Sequence, residues 1–464
     1  MILKKIINIF YNLKFILFGK FQYDGVSRKI LDLKINEKRS FEEKYEKILN
    51  NKIFNYSDTH PFINAYKSKI LFNINPKNAA NEIKNFEIIK KNWLKSNPRF
   101  YDNSDYLPFE KIAGAIGNYT ELFNYLNYRF NVEKKTSNPK IIISDKKQIT
   151  NLSLFKHFEK FIDVVESPKY FNEKRFISEI NKVAIDIASI FAGKYFPHPF
   201  AANFVNQKTK NLKNKYFQNF KLSDEDYENG FKILQKFGIK KKDWYVLFHI
   251  RDRDGDEYRN SKPETYTEAM KSVIEKGGWV IRVGRHEKYK FPKIKNLIDY
   301  SFSNMASDSM DIFLAATCKF CVATSSGFAP IPKFFGKPVL LSNCLPTSAY
   351  LELDKNDLFL PKKLLKKNTR EIIDFEEYFS FPTNYFHSPE VYKKNQLSIQ
   401  NNTTNELKAA TNEMLEICSG KLNSNFSSKN KIFKEKLKKD LKNDFEFALS
   451  HECFFSESLI NNYI

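Results

Sequence analysis

Between residues 244 and 343 short apolar runs alternate with helical periods, and this alternation restricts the fold more than any other feature of the chain. Residues 245–250 read Tyr-Val-Leu-Phe-His-Ile, a β-type run. A helical stretch follows at 263–276, entered through Ser261 and Pro263 and closed by Gly277 and Gly278, the residue types that start and stop helices. Further strands are expected at 279–283, 297–300, 320–323 and 339–342, with helices at 309–316 and 329–335. Strands alternating with helices of this length predict an α/β chain with a parallel, doubly wound sheet.

Ligands of such sheets bind beyond the carboxyl ends of the strands, which makes the residues placed there the candidates for chemistry. His249 and Arg251 end the first strand and are expected to project on one side of it. An arginine there offers a planar, permanently charged fork matched to phosphate oxygens; the alternative is an ion pair with Asp252, Asp254 or Asp256. Arg259 and Asn260 lie in the same connection, and Gly284 closes the second strand. Thr324, Ser325, Ser326 and Gly327 end a later apolar strand and are expected to open a helix. Free amides, hydroxyls and a helix dipole would there make an anion cradle; a capping turn with Ser326 as N-cap is the other reading. Two such polar clusters in one sheet point to a nucleotide diphosphate. The acidic run Asp252, Asp254, Asp256 and Glu257 holds carboxylates that raise one another's pKa where they converge. One of them, with Asp254 and Asp256 as candidates, could take a proton from an attacking hydroxyl, and His249 is a second candidate base.

At 464 residues the chain exceeds one ordinary core. It divides on sequence into a basic amphipathic segment (1–20), an N-terminal α/β domain (21–235), a C-terminal α/β domain (236–420) and a charged, solvated tail (421–464). In the first half, helices are expected at 41–49 and 78–94 and strands at 140–144 and 161–165. Gly114 and Gly117 bracket a small-residue turn ahead of an apolar helix. The helix expected at 403–418 has the length to cross back toward the first domain.

The net charge of +22 invites a nucleic-acid reading. Lysine, however, travels with asparagine and isoleucine along the whole chain, as at 77–85, and nothing resembles a recognition helix, a zinc finger or an aromatic RNA platform. No nucleic-acid partner is expected. A dispersed positive field suits acidic donors and anionic membrane surfaces. Residues 1–20 mix lysines with Ile and Phe without the ~20-residue apolar run of a spanning helix. They read either as a helix lying on an anionic membrane face or as one packed on its own domain. Five cysteines without a spaced framework suit a reducing, cytoplasmic setting, and Cys318 and Cys321 are expected to be packed thiols. No metal and no cofactor is expected beyond the donor itself.

The run 244–251, Arg259-Asn260, Tyr266, 277–284, Asp299-Tyr300, Asp311 with Leu314, 324–327, Ile331-Pro332, Phe335-Gly336 with Pro338, and Asn343 with Pro346 resembles a little-characterised bacterial family of glycosyltransferases over residues 236–420. More remotely it resembles the fucosyltransferase-like branch of the GT-B fold. That resemblance implies two Rossmann-like domains with a cleft between them and helical appendages. It implies an inverting transfer; the donor is expected to be a GDP- or UDP-linked sugar, Arg251 and the 325–327 amides would make a metal dispensable, and the basic segment 1–20 points to a glycan or lipid-linked glycan acceptor in surface polysaccharide or glycolipid synthesis, at most peripheral on the cytoplasmic membrane. By the same resemblance Arg251 would stabilise the leaving diphosphate, Ser325 and Ser326 would cradle it, and Asp311 would anchor the sheet or the donor site. Gly117-Asn118 stands where the family usually has Gly-His, and the loop 253–257 is unusually acidic. A nucleotide-sugar-binding or membrane assembly protein without turnover is the rival reading.

Overall fold

The computed structural model describes residues 106–108, 115–166, most of 215–440 and 452–463, with a few isolated positions besides. Residues 1–20, the helices expected at 41–49 and 78–94, Gly114 and Asp256 lie outside the described residues, apart from Ile88 and Lys91-Asn92. Among the described residues no helix is long and apolar enough to cross a membrane. The chain forms two compact units, 1–150 with 155–216, and 151–154 with 217–464.

The described sheet of the first unit has three parallel strands in the order β1 (Tyr106–Pro108), β2 (Lys140–Ile143), β3 (Asp163–Glu166). Three consecutive isoleucines of β2 are fully buried, as expected of the central strand of a covered parallel sheet. β3, expected as a buried strand, is an edge whose residues are exposed or half-buried. Ile116–Asn118 forms a single 3-10 turn that runs into helix α1 (Tyr119–Asn127). Tyr119, Leu122, Leu126 and Phe130 put one buried stripe on it and its continuation.

The second unit begins at Phe217, earlier than the expected boundary at 235/236. The cause is aromatic: Phe220 packs against Phe334 and Phe335 with ring centroids 6.3 and 6.0 Å apart, and its amide bonds the Phe334 carbonyl. Helix α2 (Asp224–Lys236), capped by Ser223, is thereby part of this unit.

Seven parallel strands form its sheet. They are β4 (Tyr245–His249), β5 (Trp279–Val283), β6 (Leu297–Asp299), β7 (Cys321–Ala323), β8 (Val339–Ser342), β9 (Leu358–Leu360) and β12 (Phe454–Phe455), in the spatial order β12-β9-β8-β7-β4-β5-β6. β10 (Lys363–Lys366) and β11 (Leu397–Gln400) form a separate antiparallel pair. Counted from β4, the first six strands follow the 3-2-1-4-5-6 order of a doubly wound dinucleotide-type sheet. The expected α/β class is therefore met in this unit. The chain runs outward from β4 through β5 to β6, then returns to the other flank of β4 as β7. Helix α3 (Thr267–Glu275) follows a 3-10 turn at Pro263–Tyr266, so the stretch expected as one helix is two pieces. Gly277 takes the left-handed conformation after it, and a Cβ on Gly278 would stand 2.4 Å from the Trp244 ring, so both glycines are required. Helix α4 (Asp308–Thr317) precedes β7, and α5 (Ile331–Phe334) is a single turn before β8. All five cysteines are free, with Cys318 and Cys321 fully buried.

Helix α6 (Thr404–Ser419) carries a complete capping box between Thr403 and Glu406 and packs on α3, β8 and β9 within this unit. The described residues of the segment expected as a solvated tail, 421–440 and 452–463, are packed on the unit. Helix α7 (Ser424–Asp440) buries Phe426, Asn430, Phe433 and Leu437 on one face. Beyond it, β12 adds the seventh strand, with Phe454 opposite Leu358 and Phe455 opposite Phe359. The Asn430 amide accepts from the Phe455 N–H at 2.7 Å and donates to its carbonyl at 3.0 Å, closing an edge that would otherwise be open. Charge dominates the composition of this segment, but the apolar residues at helical spacing decide its placement.

Phe455, 1% exposed, stands among Phe359, Phe379 and Phe433. Phe455→Ala is expected to cost about 3–5 kcal/mol in urea unfolding. A change within about 0.5 kcal/mol, the value for a solvated position, would return the segment to a tail.

Candidate functional site

The return of the chain from β6 to β7 leaves the carboxyl ends of β4 and β7 side by side, with their connections departing in opposite directions. His249 pairs with Val283 on one side and Ala323 on the other. Thr324, fully buried, joins the two strand ends: its amide donates to the His249 carbonyl at 3.1 Å, and its hydroxyl accepts from the Arg251 amide at 2.9 Å. The sequence candidates on these two connections are thus brought together.

His249 is 4% exposed, with Nδ1 3.0 Å from Ser326 Oγ and its ring stacked on Phe328 at 5.2 Å. Burial, with Arg253, Arg282 and Arg251 nearby, lowers its pKa to about 3. The ring is neutral near neutral pH and a weak proton acceptor there, so it orients Ser326 better than it would serve as a base. Arg251 is 6% exposed, and its guanidinium bonds the Gly255 carbonyl at 3.0 Å.

The turn after β7 differs from expectation. Helix α5 starts only at Ile331 and has four residues, because Pro330 and Pro332 lack the amides that a helix ladder needs. No helix dipole of useful length therefore stands behind 324–327. Ser326 Oγ accepts from the Phe328 amide at 3.2 Å. The amides of Ser326 and Gly327 have no acceptor among the described residues. Ser325 faces the other way: its hydroxyl donates to the Leu345 carbonyl and accepts from the Leu345 amide, both at 2.9 Å. Its hydroxyl is engaged in tying the turn to the segment after β8.

Arg259 also turns inward. Its Nε and Nη2 donate to the Ser325 carbonyl at 3.2 and 3.0 Å, a fork closed on the main chain. Asn260 donates to the Arg253 carbonyl at 2.6 Å, and the Ser261 amide bonds the Arg251 carbonyl at 2.9 Å. Residues 259–261 therefore touch Ser325, Arg253 and Arg251.

The acidic loop is drawn outward. Asp252 accepts from the Tyr289 amide at 3.0 Å, while Asp254, 92% exposed, pairs with Lys288 at 2.5 Å. Asp311 stands near the end of β5, paired with Arg285 at 2.8 Å; burial raises its pKa, with Arg285 and Tyr300 acting against that. Its links run to Arg285 and Tyr300, which makes it an anchor of this edge. Gly284, ahead of Arg285, has φ 146°, a value that favours glycine.

Three features were not found from sequence. Lys362, just beyond β9, is buried and donates to the Tyr258 and Asn260 carbonyls. Tyr266, Ser342, Asn343 and Asn402 form a buried hydrogen-bonded chain under the ends of β8 and α6. Arg282, on β5, is fully buried against Asp299 at 3.2 Å and flanked by Phe291 and Phe302. The apolar triplet 358–360 closed by Pro361 was the available signal for a strand with Lys362 at its carboxyl end.

No protein-family model matches the chain, and no curated protein matches it. Among solved structures it is similar to a glycosyl transferase family 9 structure from Veillonella parvula, at 10% identity and a TM-score of 0.34, over 51% of this chain and 80% of that one. It is similar to the ADP-heptose LPS heptosyltransferase II of E. coli at 10% identity and a TM-score of 0.33, over 51% and 84%. The glycosyltransferase TibC of enterotoxigenic E. coli, described as iron-containing and dodecameric, gives 13% identity and a TM-score of 0.36, over 69% and 77%. None of the three is named a fucosyltransferase. Likenesses of this degree decide neither fold nor activity; the strand order and the side-chain geometry of the β4–β7 edge are the firmer guides to both.

His249 supplies a test of the cluster by pH. Its folded pKa lies below the ordinary 6.5, so its contribution to stability is complete above pH 6.5 and is lost as pH falls toward about 3. The slope is about 1.4 kcal/mol per pH unit inside that window. In urea melts at pH 7 and pH 5, His249→Asn is expected to lie nearer to the parent at pH 5. An unchanged gap at the two pH values would mean that His249 is not held neutral.

Proposed function

We propose that the second unit binds the donor of a glycosyltransferase that moves a sugar from a nucleotide diphosphate to a hydroxyl acceptor. One observation carries this reading: the Arg251 main chain is bonded to Thr324, which sets the strand end that bears Arg251 beside the turn that bears the Ser326 and Gly327 amides, at the switch between β4 and β7 where open α/β sheets take their ligands. A permanently charged guanidinium and oriented main-chain donors suit an anion whose charge grows as the leaving diphosphate departs. Such donors perform this role without a metal, so the transfer is proposed to be metal-independent. Ser326, oriented by His249, adds a hydroxyl to the same anion.

The finer parts of the proposal rest on the sequence. They are a GDP- or UDP-linked donor, inversion at the anomeric carbon, a glycan or lipid-linked acceptor, and acceptor binding by the first unit. A carboxylate remains the proposed base, because a histidine held near pKa 3 is a poor one. A binding protein without turnover would use the same anion site, and the two readings part at the chemical step.

Calorimetry with GDP, UDP, CDP, ADP and their sugars, in EDTA throughout, is expected to select one diphosphate. Arg251→Ala should weaken it about tenfold or more, the loss of a hydrogen bond to a charged group, and should abolish transfer even at saturating donor. Equal affinity in parent and variant would overturn the diphosphate assignment. Selective binding with no transfer to any acceptor hydroxyl would favour the binding protein.

A further inference from the structure

Lys362 is a buried cation that the proposed reaction leaves without a role. It is 3% exposed and stands two residues beyond β9. Its ammonium donates to the Tyr258 carbonyl at 2.9 Å and the Asn260 carbonyl at 2.5 Å. No carboxylate among the described residues pairs with it. An ammonium buried on two neutral carbonyls is an expensive arrangement, and a core position would be filled more favourably by an apolar side chain. Its main chain is fixed from both sides. Asn402 donates to the Pro361 carbonyl at 3.0 Å, and the Tyr378 hydroxyl donates to the carbonyl of Lys362 itself.

The segment that it holds is the hub of the anion site. Between the two carbonyls stands Arg259, whose fork grips the Ser325 carbonyl and so fixes the turn 324–327. Asn260 holds the Arg253 carbonyl, and the Ser261 amide holds the Arg251 carbonyl. We infer that Lys362 is a positioning residue of the donor site: by clamping the 258–260 main chain it sets Arg251 and the 324–327 turn at the spacing that a diphosphate requires. The inference deepens the donor-binding reading and rests on it for the identity of the ligand, though not for the clamp.

The clamp is sensitive to charge, because a neutral amine donates more weakly than an ammonium. Burial lowers the Lys362 pKa to about 8, with Cys344 acting against it. The other groups facing this place do not titrate near that value. Burial pushes the Cys344 thiol up to about 11, and the Tyr378 hydroxyl well above its ordinary value. The Glu352 carboxylate acts on Cys344 from the segment before β9, and the Arg259 guanidinium faces the same place from the hub. Two effects of raising the pH then oppose each other. The folded pKa is below the ordinary 10.5, so global stability from this group rises between pH 8 and 10.5, while the grip on the hub weakens. A merely structural lysine shows only the first effect.

The experiment is hydrogen exchange on the full chain at pH 7 and pH 9, expressed as protection factors so that intrinsic exchange is removed. The amides of Asn260, Ser261 and Thr324, bonded to the carbonyls of Glu257, Arg251 and His249, report the hub and the turn. Protection there is expected to fall severalfold from pH 7 to pH 9 in the parent, while the core strands keep theirs. Lys362→Met should show low protection at these amides at both pH values, and affinity for the selected nucleoside diphosphate reduced about tenfold and no longer pH-dependent. Lys362→Gln stands in should the methionine variant not fold, and the parent profile needs no variant. Parent-like protection in both segments of a folded variant, or a parent profile flat from pH 7 to pH 9, would overturn the inference. Failure of the parent to bind any nucleotide would remove the donor-binding reading, and the exchange data would still decide whether Lys362 clamps the hub.

Discussion

The hydroxyl and amide of Thr324 are the join on which the rest of the site depends. β4 and β7 are neighbours in space but lie far apart in the chain, with β5, β6 and two helices between them. Their carboxyl ends would splay after the last ladder bond without a cross-link. Thr324 supplies it through the His249 carbonyl and the Arg251 amide, in the dry interior where such bonds are strongest. Hydrogen bonds made by Ser325 to Leu345 and by Arg259 to Ser325 extend the join to the end of β8 and to the 258–261 segment. The strand order places the site, and these few polar contacts give it a shape.

That shape is built from groups whose burial is costly. His249, Arg251, Arg282 and Lys362 all lie within the second unit with little or no exposure. Each is held by a fixed acceptor or by an aromatic face: Ser326 and Phe328 for His249, the Gly255 carbonyl for Arg251, Asp299 and two phenylalanines for Arg282, two carbonyls for Lys362. Isolated buried charge is strongly unfavourable and is retained where it acts on something. Arg251, Arg253 and Arg282 stand around a neutral histidine at the carboxyl edge of β4, so an incoming anion would offset part of that cost.

The legible part of the fold was the part with local signals. β4, β5 and β8 are continuous apolar runs bounded by turns, and each was found within a residue of its true limits. β9 and β12 have three and two residues, too short for any period to show, and both are strands only because a neighbour is there to pair with. Lysine-rich composition hid the stripe of Phe426, Asn430, Phe433 and Leu437 that docks α7. At the site, the residue types and their strand ends were readable, but the directions of the side chains were not. Ser325 and Arg259 both read as ligand groups, and both turn to the main chain, because the partner of each lies more than nineteen residues away in sequence.

The assignment of the proton acceptor follows from the same geometry. His249 stands in the position that a sequence reading favours for a base, yet burial, with Arg253, Arg282 and Arg251 nearby, holds its proton affinity down. A buried strand end lined with arginines cannot also keep an imidazole basic. The acids of the adjoining loop are subject to no such conflict, but Asp252 is taken by the Tyr289 amide and Asp254 points outward to Lys288. On the donor-binding proposal, the described residues of the join would receive negative charge as a bond breaks. On the same proposal the proton would pass to a carboxylate other than Asp252 and Asp254.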